Sequence, residues 1–256
     1  MPTFQATDGV EIFYQSWDGR SDRPPVLLHH GFIANGVTNW VLTGVVDALN
    51  SAGRRVITID ARGHGQSGKP HDPAFYGEVR MAEDVTTLLD LLGVSTVDLV
   101  GYSMGAVVSL ITATRESRVR RLVIGGVGAA VVELGGVDTR VIGPAPLREA
   151  LDAENPATIT DPAAAGFRAF IDAVGGDRAA LGAQAQRMHA EPIPLDAISA
   201  PALVLAGRDD VLAGRPEVLA KAIPGARLKV IDGDHLGAVR EPAFIAELLG
   251  FLSDDK

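Results

Sequence analysis

The stretch Asp98-Leu99-Val100-Gly101-Tyr102-Ser103-Met104-Gly105-Ala106-Val107-Val108 organises the chain around it. An aliphatic run, Val97 to Val100, ends at Gly101; Ser103 and Gly105 follow, and an apolar helical pattern continues through Leu110 and Ile111. Gly-x-Ser-x-Gly between a strand and a helix is the signature of a nucleophile elbow. The turn lifts a serine hydroxyl above the sheet edge in a strained backbone conformation. It needs glycines on either side, because side chains there would strike the neighbouring strand or helix. The helix that starts behind Ser103 offers free N–H groups to a developing negative charge. Five letters alone prove little in a chain with 29 glycines, so the remaining parts must come from the flanking sequence.

Upstream, Thr3–Thr7 and Glu11–Trp17 read as short strands joined through Asp8-Gly9, a type I′ hairpin signal. Val26 to His30 is an unalternating apolar run that ends at Gly31, as expected of a strand covered on both faces. Val37–Asn50 has helical spacing and Arg55–Asp60 is a further buried strand. Glu78–Leu92 carries Met81, Val85, Leu88, Leu89 and Leu92 on one face and stops at Gly93. Strand Val97–Tyr102, helix Ser103–Thr114 and strand Val119–Val127 complete an alternation that predicts an α/β fold with a doubly wound, mostly parallel sheet.

At about Val131 the rhythm breaks, and no buried strand is legible before about Leu195. Phe167, Phe170, Ile171 and Val174 form one helical stripe, and Leu181, Ala185 and Met188 a second. The reading is a core domain of residues 1–130 and 196–256 with a small helical cap, or lid, inserted at 131–195. The sheet resumes with strand Ala202–Ala206, helix Arg215–Ile223, strand Arg227–Ile231 and helix Pro242–Leu252.

A serine nucleophile needs a base, and the base an acid that fixes its tautomer. Only His189 and His235 follow Ser103 among six histidines. His189 falls in the insertion; His235 follows the last strand, where a loop can carry it over the serine. The acid belongs at the end of the preceding strand. There Gly207-Arg208-Asp209-Asp210 offers Asp210 as the catalytic carboxylate and Asp209 as a turn cap or ion-pair member. Backbone N–H groups of Met104 and of Phe32, the latter after His30-Gly31, are placed to form an oxyanion hole. Leu147, Phe167, Phe170 and Met188 are candidates to line a substrate pocket, or to hold the insertion together.

The His30-Gly31-Phe32, Asp60-Ala61-Arg62-Gly63-His64-Gly65-Gln66-Ser67, Gly101-Tyr102-Ser103-Met104-Gly105, Gly207-Arg208-Asp209-Asp210 and His235 pieces appear in the order of the α/β-hydrolase fold superfamily, which the whole chain resembles. The resemblance implies eight strands, mostly parallel with the second antiparallel, and a helical cap after the sixth. It also implies a structural role for the Gly-His-Gly-x-Ser loop, so His64 is not the expected base. Departures are the lack of a proline within four residues after Asp210, Asp234 before His235, and Ala106 where a third glycine is frequent.

Ser103 sets the chain apart from the branches with Asp at that position and points to a serine esterase acting on a small carboxylic ester, lactone or thioester. Alternatives are a C–C bond hydrolase of ring-cleavage diketones, whose members commonly carry Trp where Leu236 stands, and a receptor-like binder on the same fold. With 46% hydrophobic and 21% charged residues in 256, the composition suits one large globular domain. A net charge of −9 argues against nucleic acid or anionic membrane as partner. No cysteine is present, which removes disulfides and thiolate ligands. No cofactor or metal is expected: His29 and His30 are adjacent on a strand and point to opposite faces. The N-terminal residues lack a basic-then-apolar leader pattern, and a cytoplasmic setting with a small-molecule partner is the expectation. The oligomeric state is open.

Overall fold

The computed structural model describes residues 2–20, 22–141 and 143–253. An eight-stranded sheet runs in the spatial order β1-β2-β4-β3-β5-β6-β7-β8, built from β1 (Thr3–Gln5), β2 (Glu11–Trp17), β3 (Val26–His29), β4 (Val56–Ile59), β5 (Val97–Tyr102), β6 (Val119–Gly125), β7 (Ala202–Gly207) and β8 (Arg227–Ile231). β2 is antiparallel to both β1 and β4, and every other pair is parallel. This is the α/β-hydrolase fold in outline, as expected from the sequence.

The central strands are wholly buried, which is why they read as unbroken apolar runs. Leu27 and Leu99 pack on one face with α2 (Glu78–Leu91) and α3 (Met104–Ala113), while Val26, Leu28 and Val100 pack on the other with α1 (Val45–Ser51) and α9 (Pro242–Ser253). Helix α3 is buried all round from Met104 to Thr112, as an apolar helix without a polar face must be. β3 lies between β4 and β5, so the chain departs to opposite sides from this strand. Ligands of open α/β sheets bind beyond the carboxyl ends of strands at such a switch point. Pairing of His29 with Gly101 brings the ends of β3 and β5 together there.

After β6 come α4 (Ala130–Leu134), which packs on α8 (Pro216–Ala222), and then the helical insert α5 (Pro144–Asp152), α6 (Pro162–Val174) and α7 (Arg178–Ala185). α6 starts at Asp161, whose carboxylate caps Ala163 and Ala164, and ends at left-handed Gly175. The insert has its own small core of Leu147, Leu151, Ile171 and Leu181, which also takes in Ile33 from the loop after β3.

Two local expectations are corrected. Val37–Asn50 is not one helix: a π-helical turn, Val37–Val41, is separated from α1 by Gly44 at φ +80°, which ends the first turn and starts the second in a new direction. The Asp8-Gly9 hairpin is not type I′, because only Gly9 has positive φ. The N–H of Gly9 donates to the Ala6 carbonyl at 2.9 Å and that of Ala6 to Val10 at 2.8 Å, a type I turn closed by a glycine bulge. β1 accordingly stops at Gln5, before the Thr7 expected from the sequence.

Candidate active site

Ser103 stands between β5 and α3 at φ 55°, ψ −118°, a region that non-glycine residues rarely enter. Its N–H is held by the Gly125 carbonyl at 2.8 Å. A Cβ on Gly101 would lie 2.1 Å from the Gly105 carbonyl oxygen, and one on Gly105 would lie 2.2 Å from that of His29. Both neighbours are backbone and cannot swing away, so the two glycines let strand and helix close tightly enough to force the serine out.

His235 sits in the loop after β8, with Nε2 3.1 Å from Ser103 Oγ and Nδ1 3.0 Å from each carboxylate oxygen of Asp210. This geometry defines a tautomer: Nδ1–H donates to Asp210, which leaves Nε2 to accept from the serine hydroxyl. Asp210 is buried and is itself held by the N–H groups of Leu212 and Ala213, at 2.9 and 3.2 Å. The turn cap expected of Asp209 is thus made by Asp210, and Asp209 is exposed with no ion pair among the described residues. Asp234 orients the histidine turn by accepting from Leu236 and Gly237 N–H. Tyr102, between the first glycine and the serine of the elbow, was not singled out by the sequence pattern. It donates its hydroxyl to the His235 carbonyl at 2.8 Å and lies against the imidazole.

The loop after β3 supplies the other wall. A Cβ on Gly31 would come within 3.2 Å of Ser103 Cβ, so a side chain there would press on the serine and require it to give by a few tenths of an ångström. The Gly31 N–H donates to Asn39 Oδ1 at 2.9 Å, and the Gly31 carbonyl accepts from His30 Nδ1 at 2.8 Å. His30 Nε2 accepts from Ala61 N–H at 2.9 Å, which requires the proton on Nδ1. Burial holds His30 neutral, with its pKa down to about 4. Ile33 next in line has φ 70°, a genuine outlier for a β-branched residue. Among the described residues no hydrogen bond uses the N–H of Phe32 or Met104; Met104, as the first residue of α3, has no intrahelical acceptor to find.

His64 is buried in the loop after β4, its Nδ1 on the Arg62 carbonyl at 2.9 Å and its ring against Phe32. Asp60 binds the N–H of Gly36 and Gln66 at 2.8 Å each, tying this loop to the one after β3. His189 gives its backbone N–H to Glu78 at 2.8 Å and accepts the Glu191 N–H on Nδ1 at 3.1 Å, and no bond joins it to Ser103 among the described residues.

A cavity of about 810 Å³ opens onto Ser103, Phe32 and Met104. Leu147, Phe167 and Met188 line it; Phe170 does not, and packs instead within the insert. Leu151 and Leu212 were not anticipated from the sequence, since nothing in the pattern distinguishes them from other core leucines. Arg148, Asp138 and Asp152 stand at its wall. Among the described residues no cluster of three metal-ligating side chains occurs, and no helix is long and apolar enough to cross a membrane.

A family model for the alpha/beta hydrolase fold matches residues 24–134. The chain is 35% identical over 116 residues, 45% of its length, to an sn-1-specific diacylglycerol lipase ABHD11 of Danio rerio, and spans 35% of that protein. Such curated relatives are matched over only about a third of their length. Similar solved structures extend over nearly the whole chain. A hydrolase from Pseudomonas aeruginosa has 28% identity and a TM-score of 0.79, with 98% of each chain covered. The enol-lactonase from Burkholderia xenovorans has 25% identity and a TM-score of 0.79, covering 99% of this chain and 100% of that one. The chain has the α/β-hydrolase fold, and its residues 24–134 are similar in sequence to that family.

Proposed function

We propose that the chain is a serine hydrolase that cleaves a small, largely apolar carboxylic ester, or a lactone or thioester, through an acyl-enzyme on Ser103. The observation that carries the reading is the alignment of Asp210, His235 and Ser103, with 3.0 and 3.1 Å contacts on the two imidazole nitrogens. In this reading His235 Nε2 takes the hydroxyl proton as Ser103 Oγ attacks the acyl carbon. The carbonyl oxygen becomes an oxyanion between the N–H groups of Phe32 and Met104. Asp210 steadies the imidazolium, His235 returns the proton to the leaving alkoxide, and water repeats the sequence in reverse roles to free the acid.

The apolar lining from Leu147, Phe167, Met188 and Leu212 suits an acyl or alcohol chain. Residues 131–195 act as the lid that shapes this space, over a core of 1–130 and 196–256. The similarity to a lipase and an enol-lactonase supports an acyl-oxygen substrate.

Hydrolysis of p-nitrophenyl esters from acetate to laurate tests the reading. Turnover of about 1 s⁻¹ or more that vanishes in Ser103→Ala is expected, with the best chain length sizing the cavity. No turnover on any ester by folded protein would overturn it.

A further inference from the structure

Glu78 is the first residue of α2 and reads in sequence as an ordinary acid at a helix start, yet it is buried at 2% exposure. Among the described residues no cationic side chain pairs with it. Its carboxyl accepts the backbone N–H of His189 at 2.8 Å, just past α7, together with its own N–H and the side-chain amide of Gln184 on α7. Burial pushes the Glu78 carboxyl up to about 7, against those three donors.

Gln184 is fully buried and spends its whole amide on the seam. Its Oε1 accepts the N–H of Gly77, the residue before α2, at 3.1 Å, while Nε2 also reaches Met104 Sδ at 3.8 Å. Gly77 itself is at φ +114°, where the Arg187 carbonyl passes close by. The other side of the same segment, Gly182, Ala185, Gln186 and Met188, lines the cavity. Among the described residues, the other side-chain bond from α5–α7 to the sheet domain is the largely exposed His71–Asp177 pair, which solvent screens.

We propose that Glu78 and Gln184 are positioning residues: they latch the C-terminal end of the insert onto Met104 and thereby set the width of the cavity beside Ser103. A buried polar cluster with one geometry in which every donor is met specifies a single seat for the segment, which the sliding apolar contacts of the insert core do not. Loss of the latch lets α7 and the turn to His189 ride on the core, and the wall of the cavity moves with them. The kinetic half of this inference rests on the hydrolase reading; the structural half does not.

The test uses the full chain as wild type, Gln184→Ala, Glu78→Ala and Glu78→Gln, with thermal melts as the folding control. Amide exchange over 178–191 needs no substrate. Removing two or three buried hydrogen bonds is expected to speed it about ten-fold in both alanine variants, with the sheet unchanged. Glu78→Gln, which keeps an oxygen for the His189 N–H, is expected to exchange no more than about three-fold faster than wild type. On the best p-nitrophenyl ester, KM should rise about five-fold or more in the alanine variants while kcat falls less than about three-fold. Unchanged exchange over 178–191 overturns the latch, whatever the esters show. Faster exchange with wild-type KM overturns its control of the cavity. Faster exchange in a protein whose wild type hydrolyses no ester removes the hydrolase reading and leaves the latch standing. Should Glu78→Ala not fold, exchange and KM in Gln184→Ala decide both points.

Discussion

The His30 imidazole donates from Nδ1 to the carbonyl of Gly31, 2.8 Å away, and so holds the peptide plane that carries the Phe32 N–H. In a trans peptide the oxygen and the next N–H point to opposite sides. Fixing the oxygen therefore fixes the direction of the Phe32 N–H, which the proposed function uses as an oxyanion donor. The Ala61 N–H on Nε2 locks the tautomer that makes this possible.

Replacement of His30 by Ala is expected to free that peptide plane. Loss of one well-aimed oxyanion donor costs roughly 10²-fold in kcat, so a fall of about 10- to 100-fold in kcat with KM within about three-fold is expected. Steady-state kinetics on the best ester would show it, and an equal rise of KM at constant kcat would place His30 in binding instead.

Asp210 and Asp209 are neighbours in sequence with opposite surroundings. One is buried against His235 and two turn N–H groups; the other is exposed. Asp210→Asn puts an amide where the Nδ1 proton donates and favours the wrong imidazole tautomer, and about 10³- to 10⁴-fold loss in kcat is expected. Asp209→Asn should stay within about two-fold. The reverse ranking of the two rates would identify the wrong acid.

The backbone of Ser103 stores strain that a glycine would not feel. At φ 55° and ψ −118° both serine and alanine carry the Cβ penalty. Ser103→Gly is therefore expected to be inactive yet more stable than Ser103→Ala by about 1 kcal/mol, or about 2–4 °C in Tm for a domain of this size. Differential scanning calorimetry on the two variants decides it; equal melting would mean the elbow is relaxed in solution.

Glu78 makes stability depend on pH in a direction opposite to that of a salt-bridged carboxylate. Its pKa is raised from 4.5 to about 7, and its partners are N–H groups, not charges. Below about 4.5 the group is neutral in folded and unfolded chains and costs nothing. Between about 4.5 and about 7 the unfolded chain ionises first, so folding loses up to about 1.4 kcal/mol per pH unit. Relative to wild type, Glu78→Gln should gain about 3 kcal/mol across that window and then level off. Urea unfolding of both proteins from pH 4.5 to 8 measures the difference; a flat difference would show that Glu78 titrates as an exposed acid does.

Much of this site was legible from residue patterns because close packing leaves a mark. Gly101 and Gly105 are required by backbone atoms 2.1 and 2.2 Å from where their side chains would be, and Gly31 sits where a Cβ would press on Ser103 at 3.2 Å. The unalternating Val26–His29 and Val97–Tyr102 announce strands covered on both faces. Ser103 and His235 are 132 residues apart, and only the order of strand ends links them. Features without a local pattern stayed hidden. Gly44 breaks Val37–Asn50 although its flanks keep helical spacing, because a left-handed residue leaves no trace in hydrophobic period. The polar ties from His30 to Ala61, from Asn39 to Gly31 and from Glu78 to His189 depend on contacts across the sheet and the insert seam. Phe167 and Phe170 share one helical stripe, and spacing cannot tell that the first faces the cavity and the second the insert.

Covalent capture of the nucleophile tests the role of Ser103 most directly. Incubation with a p-nitrophenyl alkylphosphonate, followed by intact-mass and peptide mass spectrometry, is expected to give one adduct per chain, on Ser103. Labelling should disappear in Ser103→Ala and slow sharply in Asp210→Asn, since the alcohol reacts only with its base in place. A folded wild-type protein that takes up no label, or carries it on another residue, would contradict the proposed role of Ser103.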